Sequence, residues 1–488
     1  MAFTLRGDDV CRITHPTPIP NPHWVAFSPS AANLIGIELN DQGYPVDAAW
    51  LDLLAGNTLE VNSIQFNQPI STVYSGHQFG VWAGQLGDGR AILLGEIQNQ
   101  ELQLKGSGMT HYSRMGDGRA VLRSSIREFL CSEAIYGLGI PTTRALSVVG
   151  SHLPVRRETM ETAAVCARLA PSFLRIGHFE HFAAQGNLDR LRELADTLIK
   201  QHYRDCSSND EPYLELFKQV CIRNARLVAQ WQAVGFCHGV LNSDNISVLG
   251  LTLDYGPFGF LDHFDIAHIC NHSDQGGRYA YHRQPQIMHW NMACLASSFL
   301  PLMQLNHDEH QSQNLLREAL EIFPTTFAKY WQELFRAKIG LFTSQDGDVQ
   351  LLERLLQAMH DSKVDFSYFF RQLSQIKKSS HPEQIPLRDL FVDRNAIDQW
   401  FKDYLLRLND EPLDDGARKL KMNSINPKYV LRNHLAQSAI EAAKQGDFSE
   451  VQTLLKILST PYDEQPQYHS YSEPPPADLE KIEVSCSS

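Results

Sequence analysis

His238-Gly-Val-Leu-Asn-Ser-Asp-Asn245, then a short apolar run, then Asp254-Tyr-Gly256: this stretch decides how the chain is read. The amide oxygen of Asn245 and the carboxylate of Asp254 are hard donors that suit Mg²⁺ held together with phosphates. Asn in a turn and Asp at a strand end are each common on structural grounds alone. Their joint occurrence with His238, Gly239 and Gly256 makes a metal–nucleotide site the stronger reading. Asp244, next to Asn245, adds a carboxylate able to accept a proton.

The order is similar to the protein-kinase catalytic loop, H-R-D-L-x-x-x-N, with D-F-G downstream. Aligned on His238, Asn245 takes the Asn position and Asp254 that of the metal-binding Asp. The position of the catalytic base is Val240, which accepts no proton. The metal end is kept, while the group that deprotonates a substrate hydroxyl in phosphoryl transfer is lost from its usual place. Asp244 could take over as base from a different position, which suggests a changed reaction.

Outward from this loop the chain changes character. Residues 1–70 are mixed, with Pro16, Pro18, Pro20 and Pro22 predicting an extended N-terminal arm. Residues 71–180 read as β-rich. Ala91–Ile97 and Glu101–Leu104 are strand candidates joined through Gln98–Gln100, and 145–149 and 163–170 are further strand-like runs. Apolar residues at helical spacing from Val121 to Leu138 predict one helix over about 119–138, stopped by Gly139 and Pro141. From 181 to 460 the pattern is mostly helical: 188–203, 213–234, 289–305, 309–323, 326–340, 348–361, 394–407 and 427–458. The stretch 461–488, with Pro474–Pro476 and few apolar residues, reads as a flexible tail. The expected fold is α+β and bilobal, of the protein-kinase type. A β-rich N-terminal lobe over 71–180 would face a large helical C-terminal lobe over 181–460 that carries the catalytic loop 238–262.

The bulk composition agrees with a globular enzyme. The 488 residues are 43% hydrophobic and 20% charged, enough for two or three domains or one large α+β unit. A net charge of −13 disfavours a nucleic-acid partner. An acidic protein that binds ATP should concentrate cations locally, as Lys105, Arg114, Arg119, Arg123 and Arg127 do. No apolar run approaches the roughly 20 residues that span a bilayer, and Met1–Asp9 lacks a secretory pattern. The nine cysteines are scattered and never spaced C-x-x-C. That argues against a zinc site or a secreted disulfide framework and for a cytoplasmic location.

Other parts of a nucleotide site are recognisable. A short echo, Gly87-Asp-Gly-Arg-Ala91 and Gly116-Asp-Gly-Arg-Ala120, is a hairpin-turn signal. It also suits phosphate approach, with Gly87, Gly89 and Gly118 exposing backbone N–H groups and Arg90 offering a planar fork. The second copy is expected to open the predicted helix, whose N-terminal amides favour anions. Lys105 ends a strand candidate and Glu128 lies one helix later, the order in which a kinase pairs a strand Lys with a helix Glu. Arg168 and Arg175 flank Pro171. Arg168 falls in the apolar run 163–170, where a buried Arg requires an anion, either a phosphate or an internal carboxylate.

Together these residues resemble the selenoprotein O family, called YdiU in bacteria. The strings that carry the resemblance are Tyr74-Ser-Gly-His-Gln-Phe-Gly80, Gln85-Leu-Gly-Asp-Gly-Arg90, Lys105-Gly-Ser-Gly108, Tyr112 to Leu130, Gly139-Ile-Pro-Thr-Thr-Arg144, His238 to Asn245, Asp254 to Asp262, and Asn426-Pro-Lys-Tyr-Val-Leu-Arg-Asn433. The resemblance implies a kinase fold that binds ATP in reversed orientation and transfers AMP to protein hydroxyls. Carried over by motif, it implies nucleotide contacts at Gly87, Gly89, Arg90, Lys105, Asp117, Gly118, Arg168 and Arg175. It further implies Glu128 as partner of the Lys, Asp244 as base, and Asn245 with Asp254 as ligands of Mg²⁺ or Mn²⁺. Cys486 corresponds to the near-terminal selenocysteine of some relatives.

The expected activity is adenylylation of Ser, Thr or Tyr side chains of proteins, self-modification included, with release of pyrophosphate. UMP transfer from UTP with Mn²⁺, a true γ-phosphoryl kinase, and a nucleotide-binding scaffold are the rivals. A redox pairing of Cys486 with Cys270, just beyond the loop, is a further expectation.

Overall fold

The structure is a computed structural model that describes residues 7–476, 482 and 484. Its N-terminal part is β-rich. The strands are β1 (Cys11–Ile13), β2 (His23–Phe27), β3 (Glu60–Val61), β4 (Ile64–Gln65), β5 (Ile70–Thr72), β6 (Ser75–Gln78), β7 (Val81–Gln85), β8 (Ala91–Ile97), β9 (Gln100–Lys105), β10 (Ala120–Val121), β11 (Arg144–Arg156) and β12 (Met160–Ala170). Two short ones, β13 (Phe236–Cys237) and β14 (Gly259–Phe260), come later. Eight strands form one antiparallel sheet in the order β1-β5-β8-β9-β12-β11-β2, with β10 beside β12. Gln98 and Asn99 make the two-residue turn between β8 and β9 with φ of 49° and 62°, the left-handed pair that a tight hairpin demands.

The two faces of the sheet meet different neighbours. Along β12, Val165, Ala167 and Leu169 pack with Trp50, Leu53 and Leu54 of α2 (Ala49–Ala55). Ala164 and Cys166, on the other face, pack with Ile126, Phe129 and Leu130 of α3 (Leu122–Gly137). The first 70 residues therefore do more than form an arm. They lack regular structure over 14–22, but they also supply two sheet strands, the short α1 (Pro29–Ala32) and the cover of one face.

The C-terminal part is helical: α4 (Ile176–Ala184), α5 (Leu188–His202), α6 (Pro212–Val234), α7 (Gln284–Met303), α8 (Glu309–Leu320), α9 (Ile322–Lys338), α10 (Asp348–Ser362), α11 (Phe366–Leu373), α12 (Arg394–Asn409), α13 (Asp415–Asn423), α14 (Asn433–Lys444) and α15 (Ser449–Ser459). Gly235 ends α6 in the left-handed conformation (φ 71°), and β13 and β14 then pair across the loop that carries His238 to Asp254. The single helix expected over 427–458 is two helices, because Gln445, Gly446 (φ 82°) and Asp447 break it. The helix expected from 119 begins at Leu122, because Ala120 and Val121 pair with β12. The sequence reading missed α4, α11 and α13. Seven of the nine α4 residues are buried, which erases the two-sided pattern that reveals a helix.

One extended segment ties the helices to the loop. Asn426 exchanges hydrogen bonds with Lys338, accepting from Nζ at 3.0 Å and donating to the backbone carbonyl at 2.8 Å. Arg432 bridges Asp262 and Asp365 at 2.7 and 2.8 Å. Arg127 of α3 donates to Asn433 Oδ1 at 3.2 Å and to the carbonyl of Phe258 at 2.9 Å.

Lys338 is buried over the rings of Phe366 and Phe370, and burial lowers its pKa to about 7. In the unfolded chain it titrates near ~10.4. Between those values the unfolded state holds the extra proton, so stability rises with pH, by at most about 1.4 kcal/mol per unit. Lys338→Met removes this dependence. The urea midpoint of the variant minus that of the parent should therefore be largest near pH 7 and shrink by pH 9.5; a constant difference would refute the assignment.

Candidate functional site

A cavity of about 770 Å³ opens between the sheet and the 238–256 loop. Gly87, Gly89, Arg90, Lys105, Asp117, Gly118, Arg168, Arg175, Asp244, Asn245 and Asp254 all line it. Eight Arg and Lys side chains and four Asp face this one space, in a chain whose net charge is −13.

Strand geometry brings the cations together. Lys105 lies opposite Cys166 and Gln103 opposite Arg168 in the β9–β12 ladder, so Lys105 and Arg168 share the face that α3 covers. From α3, Glu128 reaches both. Its carboxylate is 2.7 Å from Lys105 Nζ and 2.9 Å from Arg168 Nη1. Arg168 Nη1 also donates to Asp254 Oδ1 at 2.8 Å, and Lys105 Nζ is 3.6 Å from the same oxygen. Arg175 donates to Asp254 Oδ2. The internal-carboxylate alternative for Arg168 is thus realised, with two carboxylates. Burial alone would raise the Asp254 pKa, but Arg175, Arg168 and Lys105 outweigh it and hold the carboxyl well below its ordinary range. Asp254 takes up this position with a left-handed backbone (φ 58°), uncommon for a non-glycine residue.

Glu128 and Asp254 make the direct ion pairs with the three cations, and buried Asp88 and Asp244 lie in the field of Arg175. Nε of Arg168 and Nε of Arg175 are buried and have no hydrogen-bond partner among the described residues. An anion entering the cavity would offer acceptors to these N–H groups.

Asp244 sits in the turn Ser243–Asn245. Its Oδ2 accepts from Gln78 Nε2 at 3.3 Å, while Oδ1 is buried without a partner. Burial raises its pKa to about 6, against the pull of Arg175, whose Nη1 donates to the Asp244 carbonyl at 2.9 Å. Asn245 donates through Nδ2 to the Val240 carbonyl at 3.2 Å, which leaves its amide oxygen as the donor atom for a cation. That oxygen and the Asp254 carboxylate form an all-oxygen set that fits a hard divalent ion. His238 is buried and structural. Its ring lies 5.5 Å from that of Trp231, and Nε2 is 2.9 Å from the Leu253 carbonyl, one residue before Asp254.

The glycine echo divides. Both copies reach the cavity, but the second opens no helix. Asp117 accepts from both Nη atoms of Arg157 at 2.8 and 3.0 Å and from the Arg119 N–H at 2.9 Å. Local packing alone demands glycine at two positions. A Cβ on Gly87 would lie 2.4 Å from the Tyr112 ring, and one on Gly118 would lie 2.1 Å from the Gly108 carbonyl oxygen. Sequence reasoning missed Gln78, Asp88 and Arg156 on the cavity wall. Gln78 stood inside a quoted string without a role.

Cys270 does not line the cavity. It is buried behind Gly239, donates to the Cys237 carbonyl at 3.4 Å, and burial raises its pKa well above the ordinary thiol value. Val484 bridges to Asn271, and Cys486 lies outside the described residues. Among the described residues no helix is long and apolar enough to cross a membrane.

Glu128 alone neutralises two buried cations besides Asp254. Glu128→Gln should lower stability by on the order of 3 kcal/mol in urea titration. Asp403→Asn, which removes the half-exposed Arg354–Asp403 pair, should leave the midpoint nearly unchanged. Equal effects would mean the Glu128 cluster carries no special energetic weight.

Comparison with known proteins identifies the family. The family model described as Protein adenylyltransferase SelO matches residues 4–459. The protein nucleotidyltransferase YdiU of Ralstonia nicotianae is 53% identical over 100% of this chain and 95% of its own length. That of Burkholderia multivorans is 52% identical over the same shares. With the fold, the cavity and these likenesses in hand, the chain belongs to the SelO family.

Proposed function

We propose that this chain transfers AMP from ATP to Ser, Thr or Tyr hydroxyls of proteins, within a kinase-like bilobal frame whose lobes meet at the cavity. One observation carries the reading: a buried carboxylate, Asp244, with one oxygen unpartnered, stands beside a cation-lined cavity, while the kinase base position is the apolar Val240. The names of the similar proteins support nucleotidyl transfer to protein. The cysteines are scattered and never spaced C-x-x-C, in keeping with a reducing cytoplasm.

The proposed roles follow from the donors. Arg90, Lys105, Arg168 and Arg175 bind the polyphosphate, and Gly87, Gly89, Asp117 and Gly118 shape the wall around the nucleotide. Glu128 keeps Lys105 and Arg168 in place. Asn245 and Asp254 would hold Mg²⁺, or Mn²⁺, which when bound neutralises phosphate charge. Asp244 takes the proton of the acceptor hydroxyl at Oδ1. The hydroxyl oxygen then bonds the α-phosphorus, the bond to the bridging oxygen breaks, and pyrophosphate leaves with its charge met by the Arg and Lys side chains.

Parallel incubations with ATP labelled at the α or γ phosphate decide between reactions. Protein label is expected from the α position only. Label from the γ position alone would make this a kinase, and nucleotide binding without label would make it a scaffold. Competition by UTP, with Mg²⁺ and with Mn²⁺, identifies the nucleoside. Asp244→Asn should lower transfer by at least about 100-fold while nucleotide affinity is retained.

A further inference from the structure

The string Tyr74–Gly80 is built into the β6–β7 hairpin, and the hairpin is bolted to the loop that carries Asp244. The His77 N–H donates to Ser243 Oγ at 2.8 Å. The Phe79 N–H is 3.0 Å from both Asn242 Oδ1 and the Tyr279 hydroxyl. Buried Glu180 accepts from the Ser243 hydroxyl and pairs with His77 Nδ1 at 2.6 Å. Arg278 packs beneath the tip, 2.9 Å from the place a Cβ on Gly80 would take. The outcome of this anchoring is that Gln78 holds one oxygen of Asp244.

The tip of the same hairpin and the start of β7 are apolar and exposed, with Val81 opposite Gln78 and Trp82 opposite His77 on the other face of the ribbon. Phe79, Val81 and Trp82 are 41%, 70% and 43% exposed. Exposed apolar groups are ordinary singly, but three within four residues beside a reactive carboxylate mark a contact surface. Phe79 also lines the cavity, so this surface is continuous with the site. A chain that brings a hydroxyl to Asp244 Oδ1 along the wall of Gln78 and Phe79 passes Val81, which lies opposite Gln78. The Arg and Lys side chains that line the cavity suit phosphate. Residues 75–85 contain no Lys or Arg, whereas membrane-surface segments pair an apolar face with basic residues.

We propose that the exposed tip of the β6–β7 hairpin, Phe79 with Val81, docks the acceptor protein through an aliphatic or aromatic residue next to the modified hydroxyl. This rests on the nucleotidyl-transfer reading above.

Two synthetic peptides of equal length and charge test it, each with one serine, flanked by Leu and Phe in the first and by Gly in the second. With α-labelled ATP, the wild-type enzyme should show a KM about tenfold lower for the first peptide, the scale set by burying part of one apolar side chain. Val81→Asp and the milder Val81→Ser should erase that preference without changing the KM for ATP. Val392→Asp, at a position 82% exposed elsewhere, should keep it. Equal use of both peptides by the wild type, or a preference that survives Val81→Asp, overturns the docking face and leaves transfer standing. Absence of label on either peptide and on the enzyme overturns transfer, and docking with it. Binding to phosphatidylcholine vesicles, or self-association, that Val81→Asp abolishes would assign the hairpin to lipid or to a second copy and overturn the proposal.

Discussion

The Asp254 carboxylate, gripped by Lys105, Arg168 and Arg175, is the contact on which the rest of the site depends. Its partners come from β9, β12 and the turn before α4, so one side chain joins the sheet to the loop. Glu128 answers from α3. Neither carboxylate alone balances three buried guanidinium and ammonium groups, and Asp88 and Asp244 add carboxylates in the field of Arg175. Burying such a cluster is tolerable only because every member is paired, and the unpartnered Nε groups of Arg168 and Arg175 make the cavity receptive to an anion.

That cluster needs a sheet with two distinct faces. Alternation along β12 sends Val165, Ala167 and Leu169 to an apolar layer under α2 and sends Arg168 to the other side. There α3 is packed tightly enough to keep water from Glu128, which is 4% exposed. The segment 426–433 then fixes α3 and the 254–262 loop relative to the C-terminal helices through Arg127, Asp262 and Arg432. The far C-terminal third of the chain thus helps hold a site to which none of its described residues contributes lining. The β6–β7 hairpin adds the last restraint, on Asp244.

Much of this was legible in the linear order. Lys on a strand followed by Glu on a helix announced the 2.7 Å pair, and the loop string announced Asp244, Asn245 and Asp254 as neighbours. The strands at 91–97 and 101–104 showed themselves by apolar runs around a tight turn. Less visible were elements with no pattern to read. Buried almost all round, α4 has no polar stripe, and the 427–458 run concealed a break because its apolar residues continue on both sides of Gly446. Whether Arg168 met phosphate or carboxylate was undecidable from spacing, because its carboxylate partners lie 40 and 86 residues away.

The sequence by itself determined which chemistry is present: a valine at a kinase base position, an aspartate displaced from it, hard oxygen donors, and cations concentrated in an acidic chain. Those are properties of residue type and local order, and they survive without coordinates. Only the tertiary structure decided that Arg175 and Arg168 share one carboxylate, that Asp244 keeps one oxygen unpartnered, and that Gln78 holds the other. The reason is physical: charge balance and desolvation are set by distances of a few ångströms between groups remote in the chain, and spacing along a sequence does not contain those distances.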